Sequence, residues 1–206
     1  MTIGITGGTG AGKTSALRAL EKMGAHTIDC DDVYRALLRD SADMEREILV
    51  RFPEALGNDG IDRRALAGAV FGDPAVLGDL NAITHKYVDA EVANRLERLR
   101  AGGGRLAAID AIDLIDGGLH ELCDIIVGVT APAPLRMERI MARDGIDPER
   151  ALARMAAQRT DTFFQRNCDR ILVNDCAGAE EFERKCAVFF GELISKYNSE
   201  VQAGNG

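Results

Sequence analysis

Short apolar runs alternate with segments of helical period along the whole chain. Residues 2–6 (Thr-Ile-Gly-Ile-Thr) form a brief β-branched run that predicts a strand. Residues 15–23 follow with Ala16, Leu17, Ala19, Leu20 and Met23 at helical spacing, and Gly24 stops them. Residues 25–29 predict a second strand. Helical periodicity then covers 33–38, 44–52, 64–71 and 76–99, and Gly102-Gly103-Gly104 breaks it. A third strand is predicted over 106–109, ending at Asp110. Residues 124–130 are continuously apolar after the first, as buried parallel strands are, and 170–173 predict the last strand. A C-terminal helix puts Phe182, Cys186, Phe189, Leu193 and Tyr197 on one face, with the tail beyond Asn198 expected to fray. This alternation predicts an α/β fold, a central parallel sheet flanked by helices on both faces. The helical stretch between the second and third strands is longer than a crossover needs. It predicts an inserted substrate domain over 33–100.

Between the first strand and its helix lies Gly7-Gly8-Thr9-Gly10-Ala11-Gly12-Lys13-Thr14, a complete G-x-x-x-x-G-K-[ST] phosphate-binding loop in its strand–loop–helix setting. Glycines let successive N–H groups turn inward around a β-phosphate, and the helix N-terminus adds partial positive charge. Lys13 is placed to reach the β/γ oxygens, and the Thr14 hydroxyl to ligate Mg²⁺. Gly8, Thr9, Gly10, Ala11, Gly12, Lys13, Thr14 and Ser15 are therefore the expected nucleotide-binding residues, with ATP and Mg²⁺ as cofactors.

Composition narrows the class. The 206 residues suffice for one α/β domain with an insertion. A net charge of −8 argues against broad nucleic-acid or anionic-membrane binding. No apolar run approaches the ~18 residues of a membrane span. Cys30, Cys123, Cys168, Cys176 and Cys186 form no C-x-x-C pair, so reduced thiols and a cytoplasmic protein are expected. His26, His85 and His120 are too scattered for a metal site.

Residues 134–170 carry arginines at 136, 139, 143, 150, 154, 159, 166 and 170, and no lysine. Arg136, Arg139 and Arg143 share a helix face. Asp144-Gly145 ends that helix, and Asp147-Pro148-Glu149 starts the next with a cap, an N1 proline and a first-turn acid. Arg150, Arg154 and Gln158 follow at turn spacing. After a P-loop, two such helices predict an arginine-rich lid over 132–167, because guanidinium binds phosphate with a permanent fork of donors. A solvated, mixed-charge face is the alternative. The nucleotide-binding core is then 1–32, 101–131 and 168–200.

Asp29 and Asp31 follow the second strand, where doubly wound sheets place ligands. A carboxylate there suits a general base for an alcohol acceptor and a metal ligand; Asp32 suits a helix cap. Asp110, at the end of the third strand, is a second candidate for Mg²⁺, and Asp113 and Asp116 are candidate caps.

In order along the chain, these motifs resemble the dephospho-coenzyme A kinases. The resemblance runs from Ile3 to about Ala177. It rests on the P-loop with its Thr6-Gly7-Gly8 lead-in, Asp29-Cys30-Asp31, Gly60-Ile61-Asp62-Arg63-Arg64-Ala65-Leu66, Val70-Phe71-Gly72-Asp73-Pro74, and Leu80-Asn81-Ala82-Ile83-Thr84-His85. The lid segments 139–145 and 154–158 and the late Val173-Asn174-Asp175 complete it. The resemblance implies a P-loop kinase that moves the γ-phosphoryl of ATP to the ribose 3′-hydroxyl of dephospho-CoA. It implies Asp31 as base, Lys13 and the loop on ATP, Arg139 and Arg143 on the transferring phosphate, Asn174 near adenine, and Thr14, Asp31 and Asp110 around the metal. The rivals are another P-loop kinase for a small alcohol or nucleotide, and a non-catalytic P-loop protein; a guanine-specific Asn-Lys-x-Asp motif is absent. Two departures fall near the expected acceptor pocket. Ile112 and Asp113 replace a proline and a leucine of the family's Asp-x-Pro-Leu-Leu-Phe-Glu run, and Lys86 stands where His-Pro is usual.

Overall fold

A computed structural model describes residues 1–204. The elements run β1 (Thr2–Thr6), α1 (Lys13–Lys22), β2 (His26–Asp29), α2 (Cys30–Asp40) and α3 (Ala42–Arg51), then β3 (Leu56–Gly57), β4 (Gly60–Ile61), α4 (Arg63–Val70) and α5 (Pro74–Ala101). They continue with β5 (Ala107–Asp110), β6 (Ile125–Thr130), α6 (Ala133–Asp144), α7 (Pro148–Ala156), α8 (Asp161–Asn167), β7 (Arg170–Val173) and α9 (Ala179–Gly204). Short 3₁₀ turns occupy Pro53–Ala55 and Leu119–Leu122.

The chain divides into two compact units, one of residues 1–28 and 103–206 and one of residues 29–102. In the first, the strand order is β2-β5-β1-β6-β7. β1 pairs in parallel with both β5 and β6, and β6 with β7. The chain leaves β1 for the sheet edge and returns beside it, so the carboxyl end of β1 is a switch point, where ligands bind in open α/β sheets. Every residue of β1 is buried, as a central strand requires. α1 packs its Ala16, Ala19 and Leu20 stripe against α9, whose Phe182, Cys186 and Phe190 recur every four residues. Phe190, not the adjacent Phe189, takes the fully buried place, and the two rings meet edge to face at 5.3 Å. Where fraying is expected after Asn198, the helix continues to Gly204, with no proline or glycine among residues 199–203 to stop it.

The second unit is mainly helical around Met44, Ile48, Phe52, Ala55, Leu66 and Leu80. The periodicity that predicts helices there does not reveal the two-residue hairpin of β3 and β4, which turns at Asn58-Asp59 with Gly60 at φ 107°. α5 starts on an Asp73 cap and an N1 proline, and runs unbroken through residue 86. A proline there would remove a helix N–H and clash with the preceding turn. Lys86 instead pairs with Glu47 of α3, which also accepts from the Tyr87 hydroxyl at 2.9 Å. These two donors, Lys86 first, hold the Glu47 carboxyl below its ordinary range.

Candidate active site: a phosphate-binding loop braced by arginines

The loop between β1 and α1 turns its carbonyls outward and side chains from far along the sequence hold them. Arg136 Nε donates to the Thr9 carbonyl at 3.0 Å, Arg139 Nη1 to that of Gly10 at 3.2 Å, and Asn174 Nδ2 to that of Ala11 at 2.9 Å. Carbonyls held from outside turn the loop toward the polarity an anion requires, although the Thr9 N–H is taken by Gln158 Oε1 at 2.8 Å and the Ala11 N–H by the Gly8 carbonyl at 3.1 Å. Lys13 Nζ reaches back to the Gly7 carbonyl at 3.2 Å and so lies across the mouth of the loop. Gly12 sits at φ 107°, and a Cβ on it would lie 2.3 Å from Asn174 Nδ2. Only glycine combines that backbone with that approach.

Asn174 follows β7 and is buried; its N–H donates to the Thr130 carbonyl at 2.7 Å. Its side chain joins the loop to Arg139, whose Nη2 donates to Asn174 Oδ1 at 3.2 Å and to the Cys176 carbonyl at 3.0 Å. Arg139 is thus engaged on the outer side of the loop. Arg143, one turn on, is exposed and forks onto Asp144 at 2.8 and 3.0 Å, and Asp144 also takes Arg154 of α7. That tie joins α6 to α7. Gly145 closes α6 at φ 62°, and the Asp147 side chain caps α7 on the Arg150 N–H at 2.8 Å.

The loop after β5 faces the same cleft. Gly8, Ile112, Asp113, Asp116, Gln158, Arg159 and Phe164 line it together. Asp116 binds Arg159 through two bonds of 2.9 and 3.1 Å, so the 111–116 segment is fastened to the turn between α7 and α8. The Thr6 hydroxyl donates to the Ile112 carbonyl at 3.0 Å and holds the start of this segment to β1.

Thr14 is exposed in the first turn of α1, and Asp110 ends β5, the strand beside β1. A hydroxyl and a carboxylate are the hard oxygen donors that Mg²⁺ takes when phosphates and water supply the rest of its shell. Among the described residues no three of His, Cys, Asp or Glu cluster for a metal. In the second unit, Asp29, not Asp32, caps α2, accepting from the Asp32 N–H at 3.0 Å. Asp31 lies exposed in that first turn.

Two residues of the site carried no assigned role in the sequence. Arg136 is 6% exposed and binds Thr9, Gln158 and Asp161; Gln158 binds Thr9 twice. Arg136 lies on α6 and Gln158 just past the end of α7, and sequence spacing does not separate an arginine buried under a loop from one in solvent.

A family model for dephospho-CoA kinase matches residues 1–180. A dephospho-CoA kinase of Moorella thermoacetica is 39% identical over 173 residues, 82% of this chain and 82% of that protein. A Thermus thermophilus protein of known crystal structure superposes with a TM-score of 0.76 at 33% identity, covering 94% of this chain and 97% of that one. A dephospho-CoA kinase from Campylobacter jejuni shares the fold, with a TM-score of 0.68 at 23% identity over 96% and 98% of the two chains. With its parallel sheet and braced phosphate loop, this chain is a P-loop kinase and belongs to the dephospho-CoA kinase family.

Proposed function

We propose that this enzyme transfers the γ-phosphoryl of ATP to the 3′-hydroxyl of dephospho-CoA, giving CoA and ADP. The reading is carried by the phosphate loop of a family member, with three successive carbonyls held outward and Lys13 across its mouth. The inward N–H groups and Lys13 would hold the β- and γ-phosphates and stabilise the charge that develops as the bridging P–O bond breaks. The acceptor hydroxyl would give its proton to Asp31 as its oxygen attacks the γ-phosphorus. Mg²⁺ held by Thr14, Asp31 and Asp110 would neutralise phosphate charge and align the oxygens.

Residues 29–102 would hold the acceptor, and α6 with α7 would act as the lid. Arg143 would exchange its exposed pairing with Asp144 for phosphate, while Arg139 would serve the transfer by keeping the loop in shape. Asn174 would act beside the nucleotide from the same bracing position. A closed lid excludes water and so protects ATP from hydrolysis before the acceptor arrives. Free thiols at all five cysteines support a cytoplasmic setting.

The test is ADP release by the purified chain with ATP and a panel of alcohols. Dephospho-CoA should be turned over at a kcat/KM at least ~10²-fold above adenosine, a nucleoside monophosphate or shikimate, because only it fills a site built for it. Preference for another acceptor would reassign the substrate.

A further inference from the structure

All three polar groups of Thr9 are held by two lid side chains. Its N–H donates to Gln158 Oε1 at 2.8 Å, its hydroxyl accepts from Gln158 Nε2 at 2.6 Å, and its carbonyl accepts from Arg136 Nε at 3.0 Å. Arg136 Nη2 also donates to Gln158 Oε1, at 3.3 Å. One carboxamide oxygen therefore receives a backbone N–H of the phosphate loop and a guanidinium N–H together. That pair of donors, one charged, is how proteins hold an anionic phosphate oxygen.

We propose that Gln158 Oε1 occupies the seat of a terminal-phosphate oxygen of ATP, so that Gln158 is a gate opened by the third phosphate and not by the second. Position along the loop separates the two. The N–H groups at the start of α1 take a β-phosphate. Lys13 Nζ reaches from there to the Gly7 carbonyl, which marks the Gly7–Thr9 end as the side toward the γ-phosphate. A diphosphate fills the helix end and leaves Gln158 seated. A triphosphate brings an anionic oxygen against a neutral amide oxygen for the same donors, and a charged acceptor binds such donors roughly twice as strongly.

Arg136 stays when Gln158 leaves. It is 6% exposed, its Nε remains on the Thr9 carbonyl, and Asp161 lies 3.5 Å from its Nη1. A Cβ on Gly8 would sit 2.2 Å from its Nη2, so the guanidinium lies directly against the loop backbone. Displacing Gln158 thus frees a guanidinium already in place for the γ-phosphate. The turn between α7 and α8 stays fastened by the Asp116–Arg159 pair, so the displacement is confined to the Gln158 side chain.

The proposal rests on ATP as the nucleotide, not on the identity of the acceptor. Calorimetric titration of the full chain with ADP and with a non-hydrolysable ATP analogue, in one magnesium buffer, tests it. Gln158→Ala should tighten the analogue about fivefold with ADP within about twofold, the worth of one competing hydrogen bond. Gln158→Glu puts a charged oxygen on the same donors and should weaken the analogue by about tenfold, again with a smaller effect on ADP. Thr9→Val removes the hydroxyl that anchors Gln158 and should shift the analogue in the same direction as Gln158→Ala. Analogue binding that is unchanged or weaker in Gln158→Ala, or shifts shared equally by ADP, would overturn the gate. Failure of the wild-type chain to bind either nucleotide would instead overturn the kinase reading itself.

Discussion

At the scale of single residues, the proposed function would divide the work between Lys13, for charge, and Asp31, for the proton. Lys13 is not among the buried core residues, and its Nζ donates to a loop carbonyl. Lys13→Ala should lower transfer by about 10²–10³-fold, the usual worth of a group aimed at developing charge, with the melting curve little changed. Asp31→Asn should cost about 10²-fold in kcat and much less in ATP affinity, as expected of a base. Asp29→Asn is the paired control, because asparagine caps a helix as well as aspartate does. A larger loss of rate there would reverse the two roles. Asp113 lines the cleft with Gly8 and so puts a carboxylate where an anionic acceptor should pass. Asp113→Leu should lower KM for dephospho-CoA, most at low salt where the Debye length exceeds about 10 Å, and leave KM for ATP nearly constant. The P-loop residues were legible because their chemistry is local: eight consecutive positions specify a backbone shape. Arg136 and Gln158 were not, because they act on Thr9 from 127 and 149 residues away.

At the scale of elements, the proposed lid would depend on two short helices, α6 and α7, and what starts and stops them. α7 has nine residues and owes its N-terminus to Asp147. Asp147→Ala should destabilise the chain by about 1 kcal/mol and Asp147→Asn by far less, measured by denaturant unfolding. Equal losses would show that the capping bond does not hold α7. These lid helix ends were legible because caps, N1 proline and C-cap glycine are sequence-local signals. The β3–β4 hairpin was not, since two-residue strands are too short to show a period of two. The capping of α2 was displaced from Asp32 to Asp29 because the helix begins at the strand's last residue, leaving no linker. Phe189 and Phe190 exchanged places because a long helix shifts its buried stripe by a residue without changing its pattern.

At the scale of the molecule, three thiols, those of Cys123, Cys168 and Cys186, tie stability to pH. Burial pushes Cys123 and Cys186 up to about 12 and Cys168 up to about 11, and raises Tyr34 as well. An unfolded chain loses these thiol protons near its ordinary pKa of about 8.5. The folded state keeps them, so their contribution is full below that pH and is lost as pH rises through 11 to 12. The melting temperature should fall progressively above pH 9, and a flat profile to pH 11 would contradict the burial of these groups. The parallel sheet and the helical insertion were legible from alternating patterns. The division at residue 28 or 29 was less so, because β2 and α2 are contiguous and no composition shift marks the join.

The central claim is transfer of one phosphoryl group from ATP to one hydroxyl. Phosphorus NMR of a reaction with ATP and dephospho-CoA tests it most directly, because it identifies both the product and the position of the new phosphate. The account predicts a single new phosphomonoester on the ribose 3′-oxygen, one ADP for each, and neither in appreciable amount from Lys13→Ala. ADP formed equally with and without dephospho-CoA, or a phosphate on any other oxygen of the acceptor, would contradict it.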